Sequence, residues 1–311
     1  MLKVLGAVFA LTESTFVLCH GPIPSRRADW VLAATAERVV AGQLTVALRS
    51  SDGEHSEVDL RFDEVTALTG GQSEEESFEI HYHAPSRETL DHLTGLSGKR
   101  VIAFVIDVPR NYPELYLAGD ASGSVRQYSR EAVQSVTSTI QENERAYDRA
   151  REELRCPRDE TRTTVDSLIE EMDGTRKERR EAANRLIRLG RPIVPYLICE
   201  LAQRKEPLRE REIAMELPDV TYERWAHFLP ELKVDVLDII LSAITGTSFF
   251  PLGNGASMDD RDRTIKAWWI YAGRVLLSPQ PEARIQVPQW LSPVFFRQIY
   301  IGGRTLDTEA T

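Results

Sequence analysis

The feature that most constrains this chain is a change of hydrophobic period near Arg130. Before that point apolar residues alternate or run in short blocks, as in strands. Beyond it they recur at steps of three and four, as in helices. A chain of 311 residues that changes period once is expected to build two parts with separate cores. The fold class this predicts is α+β, with two domains: a β-rich one followed by a helical one.

The first part reads as short strands. "SEVDLRFDEVTAL" turns Val58, Leu60 and Phe62 one way and Asp59 and Arg61 the other; "SFEIHYH" does the same with Phe78, Ile80 and Tyr82. "KRVIAFVIDV" is almost continuously apolar, which predicts a central strand covered on both faces. "WVLAATAERVVAGQLTVALRSSDG" reads as β-branched segments punctuated by Gly42 and by the turn Ser51-Asp52-Gly53. "ELYLAGDASGSVRQY" reads as a hairpin and "SRETLDHLTGLSG" as a short helix. Many short strands with one helix predict a small Greek-key barrel.

The second part opens with "REAVQSVTSTIQENERAYDRAREELR", a long polar helix suited to connect the two halves and ending near Cys156-Pro157. "TTVDSLIEEM" sets Val165, Leu168, Ile169 and Met172 on one helical face, and Asp173-Gly174 stops it. In "EAANRLIRLGRPIVPYLICELAQR", Ala182, Ala183, Leu186, Ile187 and Leu189 form a stripe that Gly190 ends. Pro192 then opens a second helix that buries Val194, Leu197, Ile198 and Leu201.

That arrangement, alanines and leucines on one helix, a Leu-Gly turn and a proline-containing second helix, resembles a HEAT-type repeat from Val165 to Arg204. "VDVLDIILSAITG" and "DRDRTIKAWWIYAG" are similar to the atypical C-terminal turn of bacterial HEAT-like proteins. One repeat cannot bury its own faces and about three are needed, so the resemblance implies a divergent stack of helix pairs from 161 to 276. In the first half, "ADWVLAATAERVVAG" followed by "GKRVIAFV" resembles the OB-like, netrin-type β domains of exported bacterial proteins, although Gly42 falls outside the place that pattern gives its glycine. The resemblance implies export, with Cys19 near the mature N-terminus. The expected organisation is a signal segment at 1–24, an OB-like domain at 25–130, a helical connector at 131–158, a HEAT-like domain at 159–278 and a C-terminal wrap or tail at 279–311. Trp290, Phe295, Phe296 and Tyr300 make that last segment too apolar for a free tail.

Bulk properties narrow the function. Net charge is −10 and the excess of acid is present in both halves, so bulk charge does not favour a nucleic-acid partner. Cys19, Cys156 and Cys199 are far apart with no C-x-x-C pair, which predicts neither a zinc framework nor a disulfide scaffold; Cys199 is expected to pack as a small apolar residue. The N-terminus has one lysine and an apolar run from Val4 to Leu11, then Thr12-Glu13-Ser14-Thr15 interrupts it. Val8-Phe9-Ala10 and Cys19-His20-Gly21 are both possible cleavage sites, and the balance favours export. No apolar run reaches the ~18 residues of a membrane-spanning helix.

Four clusters could carry chemistry. In "EIHYH", Glu79, His81 and His83 share one strand face, the offset at which two imidazoles and a carboxylate reach one metal. The plainer reading is the polar outer face of a half-buried strand, and with no further ligand cluster no metal site is assigned. "GNGASMDDRDR" has glycines before a helix but no P-loop pattern, and Asp259, Asp260 and Asp262 occupy the place of a phosphate, so they read as helix caps. The basic face from Arg176 to Arg191, with Arg180, Arg188 and Arg191 as its contact residues, is the nucleic-acid alternative; Glu178 and Glu181 interleave it and no aromatic residue lies nearby for stacking. Of Trp268-Trp269, one is expected in the core and the other nearer the surface.

None of the six histidines lies in a recognised catalytic pattern, and no carboxylate pair is singled out by spacing. The expectation is a non-catalytic protein-binding or scaffold module without cofactor, using the HEAT-like surface. A nucleic-acid binder and a metal-dependent site on Glu79, His81 and His83 are the alternatives.

Overall fold

The structure, a computed structural model, describes residues 28–51, 56–69, 77–84, 86–107, 115–118, 121–154, 156, 159–205, 207, 231–247, 249 and 256–278. The expected signal segment and C-terminal wrap lie outside them, as do Cys19 and the glycines of "GNG". The protein is a mixed α and β molecule, as the change of period predicts.

The alternating segments form β1 (Arg38–Ser51), β2 (Ser56–Ala67) and β3 (Ser77–Ala84), and the apolar run forms β4 (Arg100–Asp107). They pair antiparallel in the order β3-β2-β1-β4. Two short strands, β5 (Leu115–Leu117) and β6 (Val125–Gln127), pair with successive stretches of the same outer edge of β4. The expected hairpin is therefore one edge position broken by the helical turn α3 (Ala121–Ser124). The closed barrel is corrected too: the sheet is open, with no ladder joining β3 to the β5/β6 edge among the described residues. Alternation fixes which face is apolar; it does not fix whether two edges meet.

Val58, Leu60, Phe62 and Ile80 pack with Leu44, Val101, Ala103 and Val105 beneath α2 (Arg87–Leu96). The other face of β4 presents Ile102, Phe104 and Ile106 to Leu32 and Val136, so this strand is covered on both sides, as its composition requires. Leu32 comes from α1 (Asp29–Thr35), a helix where the sequence reads as strand. Its residues Val31, Leu32 and Thr35 are buried by contacts from both halves, so tertiary packing overrides the β-branched local signal. Gly42 does not interrupt β1. It sits at a bulge opposite Glu64, which has φ 52°, and a Cβ at Gly42 would press on the Asp63 carbonyl at 3.1 Å.

Beyond α4 (Arg130–Glu153), the helices are α5 (Glu160–Glu171), α6 (Arg176–Leu189), α7 (Val194–Leu201), α8 (Lys233–Thr245) and α9 (Met258–Tyr271). A π turn, Ala272–Leu276, follows α9. Starts and stops are written locally: Thr175 and Glu178 form a capping box, as do Ser257 and Asp260, and Gly190 ends α6 at φ 69°. The predicted stripes of α5 and α7 are buried, as are Ala182, Ala183 and Leu186. Leu189 is not, being 42% exposed. Trp268 is in the core, donating from Nε1 to Asp238 at 2.7 Å, while Trp269 is only partly covered.

The two halves are joined by α1 and α4. Trp30 packs against Phe249 and Tyr271, and Asn143 donates to the Trp30 carbonyl at 2.9 Å while accepting from Arg274 Nε at 2.7 Å. Gly273 lies so close to the backbone of Ala146 that no Cβ fits between them. Cys156 and Cys199 form a disulfide, with Cα atoms 5.9 Å apart, which corrects the expectation of isolated cysteines. They lie 43 residues apart, and no sequence spacing of that length announces a pair.

Candidate functional site

The densest cluster of chemistry lies on the outward face of β2 and β3. From Ser56 to Phe62 the even-numbered residues of β2 face the core, so Glu57, Asp59 and Arg61 face out. The register sets Glu57 opposite His83, Asp59 opposite His81 and Arg61 opposite Glu79. Each outward pair is thus an acid facing a base. This register corrects the sequence-based metal candidates: Glu79 shares the face but stands across from Arg61, and the carboxylate that meets the histidines is Glu57 of the neighbouring strand. One ligand atom each from Glu57, His81 and His83 lie within 4.8 Å of one another. Glu57 Oε1 is 3.7 Å from His83 Nδ1, and the imidazole centroids are 5.2 Å apart at 78°.

Two further residues complete the cluster. His81 Nδ1 and Asp59 Oδ1 are 3.0 Å apart, and Arg49 donates to the other Asp59 oxygen at 2.6 Å. Arg49 first, and then His81, hold the Asp59 carboxyl below the ordinary carboxylate range. A bulge between Leu48 and Ser50 lets two consecutive residues reach neighbouring acids of this face, Arg49 meeting Asp59 while Ser50 Oγ donates to Glu57 at 3.0 Å. Side-chain exposures of 30% for His81, 54% for His83 and 40% for Glu57 keep the cluster open to solvent. Glu57 and Asp59 were beyond sequence reasoning. Their outward alternation was legible, but the 22 residues between Asp59 and His81, and the longer stretch between Glu57 and His83, are bridged only by register.

The second candidate is the α6 surface. Arg179 is buried and donates to the Gly174 carbonyl at 3.0 Å, Arg185 pairs with Glu171 at 3.2 Å, and Lys177 lies 3.8 Å from Glu181. The basic face expected from Arg176 to Arg191 is therefore thinner than its sequence; Arg188 and Arg191 remain exposed, while the side chain of Arg180 lies outside the described residues. Arg185 and Arg188 flank a groove of about 230 Å³ between α5 and α6, lined also by Thr164, Leu168 and Leu189.

Of the acids of "SMDDRDR", Asp262 pairs with Lys205. Asp260 accepts from Ser257 N at 2.6 Å and caps α9, as the sequence predicts. Among the described residues, no helix is long and apolar enough to cross a membrane. Compared with known proteins, the chain matches no family model, no curated protein and no solved structure.

Proposed function

We propose that this chain is a non-catalytic binding module of an oxidising, extracytoplasmic compartment, and that its helical half takes a protein partner. Supporting this reading, the β half is a small antiparallel sheet five positions wide, the strand number of an OB-like fold, although it is open. The α5/α6 and α7/α8 contacts follow chain order, as in a divergent HEAT-like stack. A disulfide between Cys156 and Cys199 fits an exported protein better than a cytosolic one.

The observation that carries the binding reading is the α5–α6 groove. Leu189 belongs to the apolar stripe of α6 yet is exposed there, lining the groove with Leu168, Arg185 and Arg188. An apolar floor flanked by two cations complements a partner segment that mixes acidic and apolar residues: aliphatic side chains cover Leu189 while carboxylates reach the arginines. The test presents the full-length chain with an array of acidic-apolar peptides and with basic and scrambled counterparts. Selective capture of the acidic-apolar set is expected, weakened at least tenfold by Arg188→Glu or Leu189→Asp and unchanged by Arg49→Ala in the β half. Equal capture of all peptides, or binding of single-stranded RNA in their place, overturns it.

A further inference from the structure

We propose that Glu57, His81 and His83 form a reversible binding site for a divalent transition ion of the zinc type, with Asp59 orienting His81. The distances come first. A tetrahedral ion about 2.1 Å from each donor holds the donors roughly 3.4 Å apart. The three donor atoms already lie within 4.8 Å of one another. Closing a gap of about 1.4 Å needs only side-chain rotation, which half-exposed residues on a fixed ladder can supply.

The donor set selects the ion. Two imidazoles and one carboxylate suit zinc, copper or nickel, whereas magnesium and calcium take oxygen ligands. Three protein donors leave a fourth position to water. The site is on the outside of the sheet, so the ion exchanges with solvent and is not locked into the fold. Local charge agrees: with neutral imidazoles, the acids Glu57, Asp59 and Glu79 outnumber Arg49 and Arg61 on this face.

Asp59 supplies the orientation. Imidazole Nδ1 of His81 faces its Oδ1 at 3.0 Å, so a proton on Nδ1 is donated there and Nε2 keeps the lone pair a metal needs. Arg49 anchors the far oxygen of the same carboxylate. Asp59 is a positioning residue in this arrangement and touches no ion.

The experiment uses untagged full-length protein stripped with a chelator, titrated with Zn²⁺ by calorimetry and with Co²⁺ by visible absorption. Expected is one equivalent per chain. Affinity falls at least 100-fold in His81→Ala/His83→Ala, at least tenfold in Glu57→Gln and roughly 10–100-fold in Asp59→Asn, and only slightly in Glu79→Gln, which removes a charge of the face but no ligand. The ¹⁵N shifts of His81 should show a changed tautomer in Asp59→Asn before metal is added. Circular dichroism and metal-free melting establish that each variant folds. Wild-type binding no tighter than that of the double histidine variant overturns the proposal, as does a loss in Glu79→Gln equal to that in Glu57→Gln.

Discussion

The two halves of this protein handle charge in opposite ways. Among the described residues, the buried charged side chains are Arg179, Glu200, Lys233, Asp235, Asp238, Asp260 and Arg261, all in the helical half. In the β half, Glu57, Asp59, Arg61, Glu79, His81 and His83 stay on the outer face, and the inner face is apolar. The geometry of each element explains the difference. A strand sends alternate residues to opposite sides, so one side can be wholly polar. Helix α8 is covered all round, with residues from Lys233 to Leu241 buried, and its polar positions have no solvent to reach.

Those buried charges hold together only because each has a partner. Asp235 receives two hydrogen bonds from Arg261, at 2.8 and 2.7 Å, and Lys233 reaches Asp173 at 2.7 Å. Glu200 is held between Arg162 and Arg204. A buried pair adds little over an apolar pair of the same shape, yet removing one member strands the other. Buried charge in the helical half is therefore structural, while the charges on the sheet stay in reach of solvent.

The sharpest way to break this contrast is Arg261→Ala, which strands Asp235 and should destabilise the protein by about 3–5 kcal/mol in denaturant unfolding. Replacing both cysteines, Cys156→Ser with Cys199→Ser, frees a loop of 43 residues and should cost up to about 4 kcal/mol, read as a lower midpoint in the same assay. A smaller, pH-dependent effect is expected at Asp238, whose full burial pushes its carboxyl up to about 7. The folded state then holds a proton between about pH 4 and 7 that the unfolded chain releases, so this group's contribution to stability falls as pH rises through that window. Asp238→Asn keeps an acceptor for Trp268 and removes that loss, so its melting advantage over the wild type should grow from pH 5 to pH 8. A constant difference would mean that Asp238 stays ionised inside the fold. The smallest effect belongs to the sheet: Arg49→Ala, an exposed partner of Asp59, should leave the unfolding midpoint nearly unchanged. A loss as large as that of Arg261→Ala would erase the distinction between the halves.

Much of the fold was legible before its coordinates. The core stripes of β2, β3, α5 and α7, the cap at Gly190, the burial of one of Trp268-Trp269 and the double cover of β4 all follow from short-range spacing. Where reading failed, the cause was distance along the chain. "WVLAAT" reads as strand because its composition is β-like, yet it lies between two halves whose contacts decide its form. Leu189 completes an apolar stripe in sequence, but the helices packed on α6 do not reach it.

The candidate metal cluster divides in the same way. His81 and His83 on one strand face were fixed by a two-residue offset, which is a property of any strand. Their carboxylate partner was not, because Glu57 and Glu79 are equally outward and only the β2–β3 register decides which one meets the imidazoles. By itself the sequence determined periods, caps and the sorting of polar from apolar residues, since these depend on neighbours within a turn or a pleat. Tertiary structure alone decided the openness of the sheet, the Cys156–Cys199 bond, the pairing of Asp235 with Arg261 and the company of the histidines. Each of these joins segments tens of residues apart, and their meeting depends on register and packing that local spacing does not carry.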